Sequence, residues 1–214
     1  MGLTGVWSVR LALHLTVRIA GHHPVEDVRC ARLRSEWGPR APRRMLGFFL
    51  MQGLLQAVLS TPFALICANP QPAIGPLYLS GFKLAGASLW AVALAGESVA
   101  DWQLARFRRR SVNRAAVCQE GLWNYFRHPN YFFEWLVWGA FWLFACGSPT
   151  GWITLFCPVL MFHFLRNVTG IPLTEELSVK SRGDAYRAYQ RTTSAFFPWF
   201  KRPDHTRGSD FRSS

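Results

Sequence analysis

The chain has 214 residues, 50% of them hydrophobic and 15% aromatic, and its 24 basic and 12 acidic side chains give a formal net charge of +12. So apolar a composition excludes a disordered chain. The charge sits between long uncharged blocks instead of being interleaved through a soluble amphipathic fold, which excludes a basic nucleic-acid module. The five Cys contain no CxxC pair and read as free thiols, not as a disulfide or zinc framework.

A bilayer core of about 30 Å requires roughly 20 apolar residues in a helix. In chain order, the block 3–20 contains Arg10, His14 and Arg18, so as a span it must face other helices or water. Block 45–68 has no charged residue, and block 76–100 carries only Lys83 near one end and Glu97 near the other. Two shorter blocks follow. Residues 131–146 hold Trp135, Trp138 and Trp142 with Glu134 near the start, and 152–168 hold His163 and Arg166 near the end. The expected fold is all-α, a polytopic transmembrane helical bundle of about five spans. It would form one integral membrane domain over 1–202, followed by a disordered polar tail at 203–214.

The loops orient this bundle, because short positively charged loops stay in the cytoplasm. Segment 21–44 carries Arg29, Arg32, Arg34, Arg40, Arg43 and Arg44, and segment 101–130 carries Arg106, Arg108, Arg109, Arg110, Arg114 and Arg127. Segments 69–75 and 147–151 have no charge and are rich in turn residues. The basic loops and the C-terminus are therefore expected on the cytoplasmic side and the N-terminus outside. The first block lacks the short basic start and small-residue cleavage site of a signal peptide.

The stretch GLWNYFRHPNYFFEW at 121–135 is the densest in side-chain donors. Arg127, His128, Asn130 and Tyr131 fall within five positions, Pro129 suits a first helical turn, and Glu134 follows just inside. A helix start beside an Arg can hold phosphate, although Arg, His, Tyr and Trp also gather at membrane surfaces for solvation alone. Glu97 and Asp101 share a helix face ahead of Arg106 and Arg108, either to bind a ligand hydroxyl or to pair with those Arg. In the C-terminal stretch 171–199, Glu175 and Glu176 open an amphipathic segment with Tyr186 and Tyr189 on one face. This reads as an interfacial helix on which Lys180, Arg182 and Arg191 are solvated. The His residues lack metal-ligand spacing, and His163 reads as a hydrogen-bonded bundle residue.

Taken in order, GESVADWQLARF (96–107), GLWNYFRHPNYFFEW (121–135), and GIPLTEEL followed by YRAYQRTTSAFFPW resemble the steroid 5α-reductase C-terminal superfamily, especially its uncharacterised bacterial and plastid-type branch. Isoprenylcysteine-type methyltransferases carry a similar RHP segment, an EE pair and a Tyr-rich tail. The resemblance implies a membrane reductase whose C-terminal helices and cytoplasmic loops hold NADPH for reduction of an activated carbon–carbon double bond in a lipid or steroid-like substrate. The alternative it leaves is a methyltransferase that uses S-adenosylmethionine on a membrane substrate.

Carried over by motif, Asp101 and Arg108 would contact the adenosine and phosphate portion of the cofactor. Asn130 and Glu134 would orient the nicotinamide amide, and Arg127, His128, Tyr131 and Arg166 would complete the phosphate and ribose contacts. The chain starts at what corresponds to the third span of the reductase pattern. Either an earlier segment precedes it or the substrate half differs, and no proton donor is identified.

Overall fold

A computed structural model describes residues 5–6, 8–13, 16, 28–68, 76–111 and 115–204. Among the described residues the molecule is all-helical, 81% helix with no strand, in agreement with the expected helical class. Half of the expected first span at 3–20, the uncharged turn 69–75, Arg114, four of the histidines (His14, His22, His23 and His205) and tail residues 205–214 lie outside the described residues.

The chain separates into two compact units, Met1–Ser60 and Thr61–Ser214. In the first, α1 (Val28–Trp37) passes through a short turn at Gly38–Arg40 into α2 (Ala41–Leu59). Gly38 takes φ +49, a conformation that side-chain-bearing residues avoid. Leu46, Leu50, Met51 and Leu54 are all exposed on α2, as expected of a helix that is apolar all round.

The second unit holds α3 (Thr61–Ala68), α4 (Pro76–Arg110), α5 (Pro129–Ala145), α6 (Phe156–His163), α7 (Ile171–Arg182) and α8 (Asp184–Thr192). A π-helical turn, Phe164–Val168, follows α6. Among the described residues, two helical stretches are long and apolar enough to cross a membrane, Cys30–Ala68 and Gly151–Arg182.

Two boundaries differ from the sequence reading. The block 45–68 is not one regular helix: it breaks at Ser60, where Ser60 Oγ donates to the Ala57 carbonyl at 2.7 Å. Pro62 explains the break, since it lacks a backbone donor and fits only the first turn of a new helix. The basic segment expected to begin at Asp101 as a loop instead continues α4 to Arg110. Residues 101–110 contain neither Gly nor Pro, and Arg108, Arg109 and Arg110 in the last turn suit the negative end of the helix dipole. With 35 residues, α4 is about 52 Å long at 1.5 Å per residue.

The helices α4 and α5 form the principal pairing of this unit. Small residues permit their approach. A Cβ on Gly96 would overlap the Phe133 ring, and one on Gly86 would lie 3.2 Å from the Ala140 carbonyl oxygen. Phe63 of α3 packs edge-on against Phe141 of α5, with ring centroids 4.7 Å apart. The core around the C-terminal half gathers Leu165, Ile171 and Phe196 against Tyr131, Phe132, Trp135 and Phe162.

Candidate functional site

The site is built where the start of α5 meets the C-terminal segment. Gly121 adopts φ +56 and opens a short 3-10 turn, and Gln103 Oε1 on α4 accepts the Leu122 backbone N–H at 3.0 Å. Trp123 is pinned in the same way, its indole N–H donating to the Ala100 carbonyl at 3.0 Å. From there the backbone runs beside the returning C-terminus. Arg127 N–H donates to the Ser194 carbonyl at 2.9 Å, and Trp199 N–H donates to the Tyr125 carbonyl at 3.2 Å. Pro129 then starts α5, its fixed φ matching the first helical turn.

Arg127 is the hub of this region. It is buried, its Nε donates to Glu175 Oε1 at 2.6 Å, and its Nη1 donates to the carbonyls of Gln190 and Thr193. Glu175 also accepts from Gln190 Nε2 through its second oxygen at 2.9 Å, and His128 Nε2 lies 3.1 Å from its first. A carboxylate only accepts, so His128 Nε2 carries the proton in this contact. The His128 ring stacks on Tyr131 at 5.4 Å, and the Tyr131 hydroxyl pairs with Thr174 Oγ1 at 2.9 Å. The motif residues Arg127, His128 and Tyr131 are thus bound to α7 and α8 by side-chain bonds.

Helix α8 is held equally firmly. The Tyr186 and Tyr189 expected on an interfacial face are both buried, and the Tyr189 hydroxyl donates to the Trp123 carbonyl. Burial drives the Tyr189 phenol well above its ordinary range, which keeps it a donor at any physiological pH. Glu175 was visible as part of an EE pair, but Gln190 and Thr193 were not singled out by any sequence signal. Arg191, expected to be solvated, forms a two-pronged pair with Asp204 at 3.1 and 3.3 Å.

The remaining candidates are placed differently. Asn130 is half-buried in the first turn of α5, and its side chain makes no hydrogen bond within the described residues. Glu134, one turn further, is also half-buried. Asp101 is half-buried on α4 and Arg108 is exposed near its end, and Asp101, Arg108 and Glu134 each already interact within the chain. Arg166 sits in the π-helical turn with its guanidinium 6.0 Å above the Phe162 ring, and it lines a cleft together with Arg127. Glu97 is buried in α4. His163 is exposed and hydrogen-bonded to Asn167 at 3.2 Å.

With this geometry in place, comparison with known proteins gives one match. A family model described as a protein of unknown function, DUF1295, matches residues 1–193. The chain belongs to the DUF1295 family. This is a steroid 5α-reductase-like membrane family. No curated protein and no solved structure matches this DUF1295 chain.

The buried histidine makes stability depend on pH. Burial lowers the His128 pKa from its usual 6.5, against the opposing pull of Glu175. The unfolded chain therefore takes up this proton first. The contribution of His128 is fully present above pH 6.5 and is lost as the pH falls toward its lower folded value. The melting temperature is expected to decline below pH 6.5, and His128→Gln should flatten that decline. A His128→Gln profile that parallels the wild type between pH 6.5 and the carboxylate range would contradict this assignment.

Proposed function

We propose that this protein is a multi-pass membrane reductase that uses NADPH to reduce a carbon–carbon double bond of a lipid or steroid-like substrate drawn from the bilayer. In this reading about five helices span the membrane, and the basic loops and C-terminus lie in the cytoplasm. The observation that carries it is Asn130. Its half-buried carboxamide makes no hydrogen bond within the described residues, which leaves its donors and acceptor open to a ligand. A primary amide both donates and accepts, which matches the amide of a nicotinamide ring.

The chain's own groups then divide the work. Asn130 fixes the plane of the ring amide, and Glu134, one turn along the same face, accepts from its N–H. Asp101 accepts from ribose hydroxyls, and Arg108 meets phosphate charge. When bound, NADPH supplies the hydride. The close α4–α5 packing sets these groups on rigid helices, so that the substrate double bond is presented in a fixed orientation.

The features shared with isoprenylcysteine-type methyltransferases, namely RHP, EE and the Tyr-rich tail, are the ones joined in the Arg127–Glu175 network. As internal staples they support reductase and methyltransferase equally. The discriminating test is thermal stabilisation of the purified protein by NADPH, NADH and S-adenosylmethionine in parallel, since a ligand of the folded state stabilises by about 2.7 kcal/mol at a hundred times its Kd. Stabilisation by NADPH is the expected result. Stabilisation by S-adenosylmethionine alone would replace the reductase with a methyltransferase.

A further inference from the structure

Tyr186 and Tyr189 of α8 are buried, so α8 cannot rest on a membrane by that face. The large aromatic side chains that stay open come after it, in an irregular stretch where Phe197 is exposed, Trp199 is 64% exposed and Phe200 78%. Lys201 and Arg202 follow, both exposed. We propose that residues 197–202 are a preformed membrane anchor, which seats Trp199 and Phe200 in the headgroup layer of the cytoplasmic leaflet and sets Lys201 and Arg202 against anionic phospholipid.

The stretch is held in place, not frayed. Phe196 fastens its start in the core, and Trp199 N–H donates to the Tyr125 carbonyl at 3.2 Å. Arg202 N–H donates to the Thr192 carbonyl at 2.8 Å, and Lys201 Nζ to Gln119 Oε1 at 2.7 Å. The Phe200 ring meets the exposed Tyr125 ring edge-on at 6.4 Å. Large rings displayed from a fixed backbone mark a contact surface, and Trp in particular suits a layer that is apolar on one side and wet on the other.

Depth and charge name the occupant. The 17 residues of α5 make about 26 Å of helix, close to the roughly 30 Å of a bilayer core. Where α5 spans the membrane, as in the multi-pass reading on which this inference rests, Tyr125 lies just outside that core. The bonds from Trp123 to the Ala100 carbonyl and from Leu122 to Gln103 mark the same level on α4. There Trp102 is exposed, with the Arg106 guanidinium 5.1 Å from its ring, and exposed Arg109 and Arg110 lie further along the helix. Aromatic rings at one level with cations beyond them are the layering of a headgroup region. Lys201 and Arg202 make no ion pair among the described residues, so this edge favours anionic lipid. A second copy of the chain, itself at +12, would bring like charge to it.

The test places full-length protein in phosphatidylcholine vesicles that contain phosphatidylglycerol and a lipid brominated near the headgroup end of its acyl chains. The difference in fluorescence quenching between wild type and Trp199→Phe isolates Trp199 from the other Trp residues. Trp199 should be quenched by the brominated lipid and shielded from aqueous acrylamide. Omitting phosphatidylglycerol, or combining Lys201→Gln with Arg202→Gln, should reduce the lipid quenching several-fold. No cofactor or substrate is present, so the result stands apart from the reductase chemistry. Alkaline carbonate extraction of the same vesicles tests the multi-pass reading separately. Protein that stays in the membrane while acrylamide, and not the lipid, quenches Trp199 overturns the anchor and spares that reading; release of wild type into carbonate overturns both. Shielding of Trp199 from both quenchers assigns the stretch to a protein contact and overturns the anchor. Equal lipid quenching with and without phosphatidylglycerol overturns the anionic preference.

Discussion

Glu175→Gln is expected to lower folding stability by about 3–5 kcal/mol, the usual effect of removing one partner from a buried ion pair. The carboxylate serves Arg127, His128 and Gln190 at once, and the side chains of Arg127 and Glu175 are only 9% and 15% exposed. Gln retains one acceptor but leaves the Arg127 charge buried without its counter-ion. The loss should appear as a lower melting temperature and a lower folded yield in detergent. Pairing Glu175→Gln with Arg127→Met should recover part of it, because no uncompensated charge then remains. A Glu175→Gln protein as stable as wild type would mean that the network does not hold α7 to α5.

Phe196→Ala should cost a similar amount, about 3–5 kcal/mol, through lost burial and the cavity left behind. Phe196 is 1% exposed, and its ring centroid lies 5.1 Å from Phe162, 5.2 Å from Phe197, and 5.8 Å from both Phe132 and Trp135. It therefore joins the returning C-terminus to α5 and α6. Phe197→Ala, at an exposed neighbour, should cost much less. Equal losses in the two variants, read from thermal unfolding, would show that Phe196 is not the centre of this cluster.

The start of α5 was legible in the sequence because it is a local matter: Pro129 fixes the first turn and an uninterrupted apolar run follows. The density of polar groups around Arg127 was legible for the same reason. What they do was not. Arg127 and Glu175 are 48 residues apart and Tyr189 is 66 from the Trp123 carbonyl it meets, so no spacing rule connects them. Residues read as ligand contacts from their type prove to be bonded across the chain. Charge also misled at the end of α4, where a block of Arg suggested a loop although its residues all favour helix. In the reverse sense, the apolar run 45–68 concealed a break that Pro62 alone signalled. Arg191 is exposed as expected, but its partner, Asp204, was hidden because it falls at the start of what composition marked as a disordered tail.

In the proposed reading Arg127, His128 and Glu175 hold the fold, whereas Asn130 meets the cofactor. Melting curves of wild type, Glu175→Gln and Asn130→Ala, each with and without NADPH, separate these two roles. Glu175→Gln should melt lower in the absence of ligand. Asn130→Ala should melt close to wild type without NADPH but lose most of the increment that NADPH adds, in keeping with one lost hydrogen bond and a buried partner group left unsatisfied. An Asn130→Ala protein with the full NADPH increment, or a wild type with no increment at all, would contradict the account.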